Sequence, residues 1–286
     1  IMIRLCAFSD EAARDLAGQA DALERNKIKL TELRSVDGKN VRDLSLHEAR
    51  EIARYLDGRG IRVWSVGSPL GKIDLAAADE KYLDTVSHVC EVARELGTDK
   101  VRAFSFFHAY GERRRVIDYC NAMAERAAEL GVTLYHENEK EVYGDTAARV
   151  RELMAGLRSW KFVYDPANFL QVGERAENTL PLAGNCAYFH IKDVISKTGE
   201  LVPAGFGDGE IVRLMDYVYD DKTLTLEPHL ALFESFSQID GGEMKHKFIF
   251  RDREEAFDAA ATALKNILEQ CGYTETEEGF IHESRN

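Results

Sequence analysis

Apolar positions along the chain recur at two alternating spacings. Short runs rich in β-branched and aromatic residues fall at 3–8, 28–33, 61–66, 100–106, 132–137, 161–165, 187–191 and 223–227. Such runs read as strands. Between them lie stretches with helical spacing at 10–26, 45–57, 77–96, 112–130, 146–157, 210–218 and 253–270. Ser45 with Glu48 forms a capping-box start, and Gly58, Gly97 and Gly131 stand where helices should stop.

Eight strands, each followed by helical sequence at about 36 residues per unit, imply parallel βαβ units. Eight such units in 286 residues predict an α/β fold, a (β/α)8 TIM barrel in one domain. The rival is a doubly wound open sheet, which would show a glycine-rich turn after the first strand. Here that turn reads Phe8-Ser9-Asp10-Glu11, with two acids and no glycine. No segment reads as an interdomain linker, so the barrel is assigned residues 1–273. Residues 274–286 form a polar, acidic C-terminal tail expected to be loosely held. The stretch 233–250 delays the last helix and reads as an insertion at the pocket, a subunit contact or a surface loop.

Charge then narrows the function classes. Lys and Arg number 37 against 50 Asp and Glu, a formal charge of -13. An acidic surface disfavours binding to nucleic acid. No apolar run is long enough to span a bilayer and no secretory signal is apparent, so neither membrane nor export is expected. Five widely spaced cysteines (Cys6, Cys90, Cys120, Cys186, Cys271) are expected to be buried free thiols, consistent with a cytoplasmic protein.

Active sites of (β/α)8 barrels lie at the C-terminal ends of the strands. There the chain places Glu137 on strand five, Asp165 on strand six, His190 on strand seven and Glu227 on strand eight, at successive spacings of 28, 25 and 37 residues. Each acid taken alone could cap a helix or pair with a lysine. Four on consecutive strands form a converging set whose mutual repulsion a cation would relieve. Three carboxylates and one imidazole suit Mn²⁺, Co²⁺ or Mg²⁺, and admit Zn²⁺.

The runs His136-Glu137-Asn138, Tyr164-Asp165-Pro166-Ala167-Asn168, His190-Ile191-Lys192-Asp193 and Leu226-Glu227-Pro228-His229 resemble the xylose isomerase-like superfamily. The likeness extends to its sugar phosphate isomerase/epimerase group, which includes ketose 3-epimerases, hydroxypyruvate isomerases and inosose dehydratases. It covers nearly the whole chain. The resemblance implies that Glu137, Asp165, His190 and Glu227 bind one divalent ion, Mn²⁺ foremost. It also implies that Glu137 and Glu227 double as the catalytic acid and base. The implied reaction is isomerisation or epimerisation of a sugar or sugar phosphate, by proton abstraction beside a carbonyl through a metal-bound cis-enediolate.

Where ketose 3-epimerases carry a histidine three residues after the strand-six aspartate, this chain has Asn168. The stretches 138–143 and 192–197 also do not match those enzymes cleanly. The His190-to-Asp193 run equally resembles the inosose dehydratases, so a dehydratase or lyase on a keto-inositol or 3-keto glycoside is the alternative.

Glu32, His108, Asn168 and Lys192 are the candidate substrate contacts, with a salt bridge to Arg34 as the other reading of Glu32. Lys72 reads as solvent-facing, or as meeting an anionic substrate group. The glycine-dense loop 203–209 reads as a mobile active-site loop, with a phosphate cradle as the lesser reading. The expected partner is a small carbohydrate, and a homo-oligomer is compatible with the sequence. An endonuclease IV-like enzyme would need further histidines and a basic face, and a non-catalytic barrel would leave the four ligands unexplained.

Overall fold

The structure is a computed structural model and describes residues 1–232 and 248–284. Eight parallel strands close on themselves: β1 (Met2–Ala7), β2 (Leu30–Leu33), β3 (Arg62–Gly67), β4 (Lys100–Ala103), β5 (Thr133–Glu137), β6 (Lys161–Tyr164), β7 (Tyr188–Ile191) and β8 (Lys222–Leu226). Each pairs with the next, and β8 returns to β1 with Ala7 opposite Leu226. The chain is therefore a TIM barrel in a single domain, as the element pattern predicts.

Around it run α1 (Leu16–Arg25), α2 (Leu46–Gly58), α3 (Tyr82–Glu95), α4 (Arg113–Glu129), α5 (Ala147–Gly156), α6 (Pro166–Gln171), α7 (Ala176–Ala183), α8 (Ile211–Leu214) and α9 (Arg253–Gln270). The predicted capping box at Ser45 and Glu48 is present in both directions. Helices α6 and α7 escape the periodicity reading because both are short and Pro181 lies inside the second.

The core has two parts. Outward-facing strand residues and the inner helix faces form one large apolar layer. Inside the barrel, Tyr135, Val163 and Tyr188 pack together with Trp64, whose ring meets Tyr188 edge-on at 4.6 Å. Side chains two apart on a strand share a face. The aromatic plug thus lies one step below Glu137, Asp165 and His190, the next inward positions on β5, β6 and β7. It closes the barrel floor and fixes the height of the site.

Two expectations need correction. The tail is not loose over its described part. Phe280–Ile281 adds antiparallel to β1, with Ile3 opposite Phe280, and Phe280 is buried. Its aromatic ring provides the anchor that a polar composition hides. The cysteines are all free, but Cys271 is only half-buried. The insertion at 233–250 falls almost wholly outside the described residues. No helix among the described residues is long and apolar enough to cross a membrane.

Phe280→Ala is expected to cost about 3 kcal/mol, read as a lower urea midpoint at unchanged m-value. A polar tail merely resting on the surface would show no such loss.

Candidate metal and active site

Glu137, Asp165, His190 and Glu227 converge at the C-terminal mouth of the barrel. All four are buried, and one ligand atom from each lies within 4.8 Å of the others. Among the described residues one further group meets the same test: Glu11, Glu227 and His229, of which His229 is exposed.

Each carboxylate has at least one oxygen hydrogen-bonded to the protein, and Asp165 and Glu227 each leave the other without a hydrogen bond. Glu137 gives Oε2 to Arg102, 2.7 Å away on β4, while Oε1 stands 2.9 Å from His190 Nδ1. Asp165 uses Oδ1 to cap α6, accepting the Asn168 backbone N–H at 2.9 Å. Its Oδ2 is buried without a hydrogen bond. Glu227 gives Oε1 to Arg34 at 3.0 Å and His229 at 3.1 Å, and its Oε2 is likewise buried without a hydrogen bond. Lys192 Nζ lies 3.0 Å from Asp165 Oδ2 and 3.6 Å from Glu227 Oε2, an ion pair rather than an aligned hydrogen bond. The helix-capping reading of Asp165 is thus correct for one oxygen only.

The donor set fits a divalent ion. Two orphaned carboxylate oxygens face a region shared with an imidazole nitrogen, within the reach of one cation with bonds near 2.1 Å. The imidazole is oriented for this from behind. His190 Nε2 lies 3.0 Å from Glu32 Oε2, and Tyr188 donates to Glu32 Oε1 at 2.9 Å. A carboxylate behind a histidine favours the proton on Nε2, so Nδ1 would be the atom offered to an ion once the imidazole is neutral.

Electrostatics follow from this crowding. Burial alone would raise the Glu137 carboxyl, but His190 and Arg102 offset it and hold it below the usual range. Burial likewise works against ionised Glu227, and Lys192, His190 and His229 overcome it. Asp165 is left with the deficit, since burial and the two glutamates outweigh Lys192 and push it up to about 7. His190 is disfavoured as a cation by burial, yet Glu137 and Glu32 drive its affinity for a proton well above ordinary.

The softer candidates divide. Asn168 and Lys192 line the cavity over the centre, and the Asn168 amide donates to Glu137 Oε1 at 3.3 Å and to the Asn138 carbonyl at 2.9 Å. Glu32 is fully buried beneath His190, makes no salt bridge to Arg34, and does not line the cavity. The register shift between Thr31 and Glu32 in the β2–β3 ladder occurs at this residue. His108 stands exposed, paired with Asp74 and outside the cavity lining. Lys72 lines the cavity wall and pairs with Glu139 at 3.0 Å instead of pointing into water. The 203–209 loop cradles an internal anion: Asp193 accepts the backbone N–H groups of Gly205, Gly207 and Gly209, which leaves no phosphate cradle there.

Sequence reasoning missed Arg34 and Arg102 as site residues. The signal for Arg102 was available, as a lone arginine in the apolar run Val101-Arg102-Ala103-Phe104. A charge in an otherwise buried strand implies a buried partner.

The sequence profile of the xylose isomerase-like TIM barrel matches residues 20–234, and the chain belongs to that family. Among solved structures it is similar to the probable 3-DHS dehydratase AsbF of Bacillus anthracis, at 17% identity and TM-score 0.69 over 93% of this chain and 99% of that one. An L-ribulose 3-epimerase matches at 19% identity and TM-score 0.67, covering 94% and 96% of the two chains. The IOLI protein, whose structure holds a zinc atom, matches at 15% identity and TM-score 0.69 over 93% and 98%. These likenesses concern the fold. No curated protein matches the chain in sequence.

Metal binding needs Asp165 ionised and His190 neutral, so protons must leave as the ion enters. Co²⁺ affinity is therefore expected to fall as pH drops below about 7, where Asp165 holds its proton. Calorimetry at pH 7 in buffers of differing ionisation enthalpy should show net proton release, and a buffer-independent enthalpy would refute it.

Proposed function

We propose that this chain is a divalent-metal-dependent isomerase or epimerase acting on a carbohydrate by proton abstraction beside a carbonyl. The observation that carries this is the division within Asp165 and Glu227, each with one oxygen hydrogen-bonded to the protein and the other buried without a hydrogen bond beside His190 and Glu137. Glu137, Asp165, His190 and Glu227 would hold the ion, Mn²⁺ as first choice, with Co²⁺, Mg²⁺ or Zn²⁺ also matched to the donors. When bound, it supplies Lewis-acid polarisation of a substrate carbonyl.

The remaining steps belong to the chain's own residues. Glu137 and Glu227 reach the centre from β5 and β8, three places apart on an eight-strand ring. One removes the proton from the carbon beside the carbonyl, and the other returns a proton from the opposite face in an epimerisation. Both are held below the ordinary carboxyl range, so either can accept the substrate proton, and the partner that returns one must first take it from solvent at the mouth. Lys192, buried between Asp165 and Glu227, is placed to steady negative charge growing on a substrate oxygen. The aromatic plug beneath closes the centre from below, so a substrate enters from the mouth. A small carbohydrate suits the lined cavity of about 430 Å³, and the acidic net charge of -13 speaks against a nucleic acid.

Mn²⁺-loaded protein in D₂O is to be followed by NMR against ketoses, keto-inositols and 3-keto glycosides. Solvent deuterium should enter the carbon beside the carbonyl of the accepted substrate. Glu137→Gln and Glu227→Gln should each slow that exchange by about 10²- to 10⁴-fold. Full activity in both variants would sink the assignment. A product that has lost water or a leaving group would select the dehydratase or lyase reading of the same site.

A further inference from the structure

The mouth is electrically divided. Strands β5 to β8 supply the carboxylates and the histidine. The opposite side, from β2 to the loop after β4, supplies cations strung along two aromatic rings. The Arg34 guanidinium lies 4.4 Å from the centroid of the Phe8 ring, and that of Arg102 lies 5.4 Å from the same ring. Arg102 also lies 4.6 Å from the Phe104 ring, and Lys72 Nζ lies 4.4 Å from that ring. Arg102 and Lys72 thus share Phe104.

The backbone enforces this arrangement. Residues 70–73 run beside 104–107, with Phe104 N–H donating to Leu70 O at 2.7 Å and Phe106 N–H to Gly71 O at 2.9 Å. Gly71 holds φ +84, and a Cβ there would lie 2.1 Å from the Phe104 carbonyl oxygen. That close approach sets Lys72 against Phe104.

Two donors lining the cavity are left over. Arg102 is 6% exposed in its side chain, and it spends Nη1 on Glu137 and Nε on the Ser68 carbonyl. Its Nη2 makes no hydrogen bond among the described residues, although Arg102 lines the cavity. Lys140, also lining the cavity, has no ion pair among the described residues. The cavity lining holds five Lys and Arg side chains against two glutamates, Glu139 and Glu227. Adding Glu137 and Asp165 behind it, and Asp10 which pairs with Arg34, brings the count level, and a divalent ion at the centre would tip the mouth toward the cations. A neutral sugar could accept from this guanidinium but would bring no charge to it, whereas an oxyanion gives a charge-assisted bond of roughly twice the strength.

We infer that the substrate carries an oxyanion, a carboxylate or a phosphate, seated against Arg102 and Lys72 over Phe104, while its carbonyl end reaches the four-ligand centre. The inference rests on the reading of that centre as one acting on a sugar-like substrate. A planar guanidinium and an ammonium on one ring match the spread oxygens of either anion. Lys72 exchanges its present partner Glu139 for the substrate, or shares both.

Calorimetry on Co²⁺-loaded protein tests this with D-gluconate, D-ribulose 5-phosphate and D-ribulose as probes. At least one anion should bind about tenfold or more tightly than D-ribulose, and which one identifies the group. Lys72→Gln should remove most of that preference while its Co²⁺ isotherm stays as in the wild type. Arg102→Lys keeps the charge but loses the fork, and should weaken the anion several-fold. Equal affinity for the neutral and anionic probes overturns the inference, as does failure of both anions to bind at about 10 mM. A preference untouched by Lys72→Gln and Arg102→Lys overturns it too. Co²⁺ binding without anion preference leaves the metal-dependent reading standing and removes this one. Anion preference without Co²⁺ binding does the reverse.

Discussion

Three carboxylates and an imidazole are buried together within a few ångströms, and that burial governs how the rest of the mouth is built. Removing one ion from water costs several kcal/mol unless a partner and hydrogen bonds offset it. The chain meets this locally, giving Glu137 to Arg102, Glu227 to Arg34 and His229, and Asp165 to Lys192 and the start of α6. The partners come from β2, β4, β7 and the segment after β8, so closing the barrel and neutralising the site are one event. What the protein supplies on one side of each carboxylate leaves the other side short. Asp165, raised toward neutrality, is where that shortage collects.

The same constraint explains the layer beneath. Glu32, fully buried, would be untenable without the His190 Nε2 and Tyr188 hydroxyl contacts it makes. Tyr188 belongs to the aromatic plug with Tyr135, Val163 and Trp64. The polar site is therefore bolted to the apolar floor through one phenol and one carboxylate. A shift of the plug would turn the imidazole, and with it the Nδ1 atom that faces the centre.

How much of this the amino-acid order discloses depends on the range of each interaction. Strand and helix periods are local, so the eight strands and the barrel are legible, and the strand-end ligands follow from one unit's spacing to the next. Glu32 shows where local reasoning stops. Its place at the end of a strand suggests an open site, but which layer it occupies depends on the β2–β3 register shift and on Tyr188, 156 residues away. The glycines of 203–209 look like an anion cradle, and they are one. The anion is Asp193, a long-range partner that no loop motif announces. The tail misleads for a different reason: its mean polarity conceals a single aromatic, Phe280, that pairs across β1. Arg34 carries no motif and Arg102 shows only as a charge in an apolar strand, and the carboxylate each one meets is set by long-range packing.

The geometry also separates two jobs around the ring. Residues of β5 to β8 hold the ligand set, and each of those side chains is tied to at least one other member or its counter-charge. Replacing one disturbs all, because the pairs share atoms such as His190 Nδ1, which faces both Glu137 and Glu227. The β2-to-β4 side is less entangled. Lys72 contacts Glu139 and Phe104 and touches no ligand of the centre. Substitution of Lys72 alters what the cavity recognises without touching the centre, whereas Arg34 and Arg102 on the same side hold Glu227 and Glu137. A barrel of this design can keep one buried four-residue centre and change what its cavity accepts by altering the rim around it. That is a physical route by which one fold carries epimerases, isomerases and dehydratases alike.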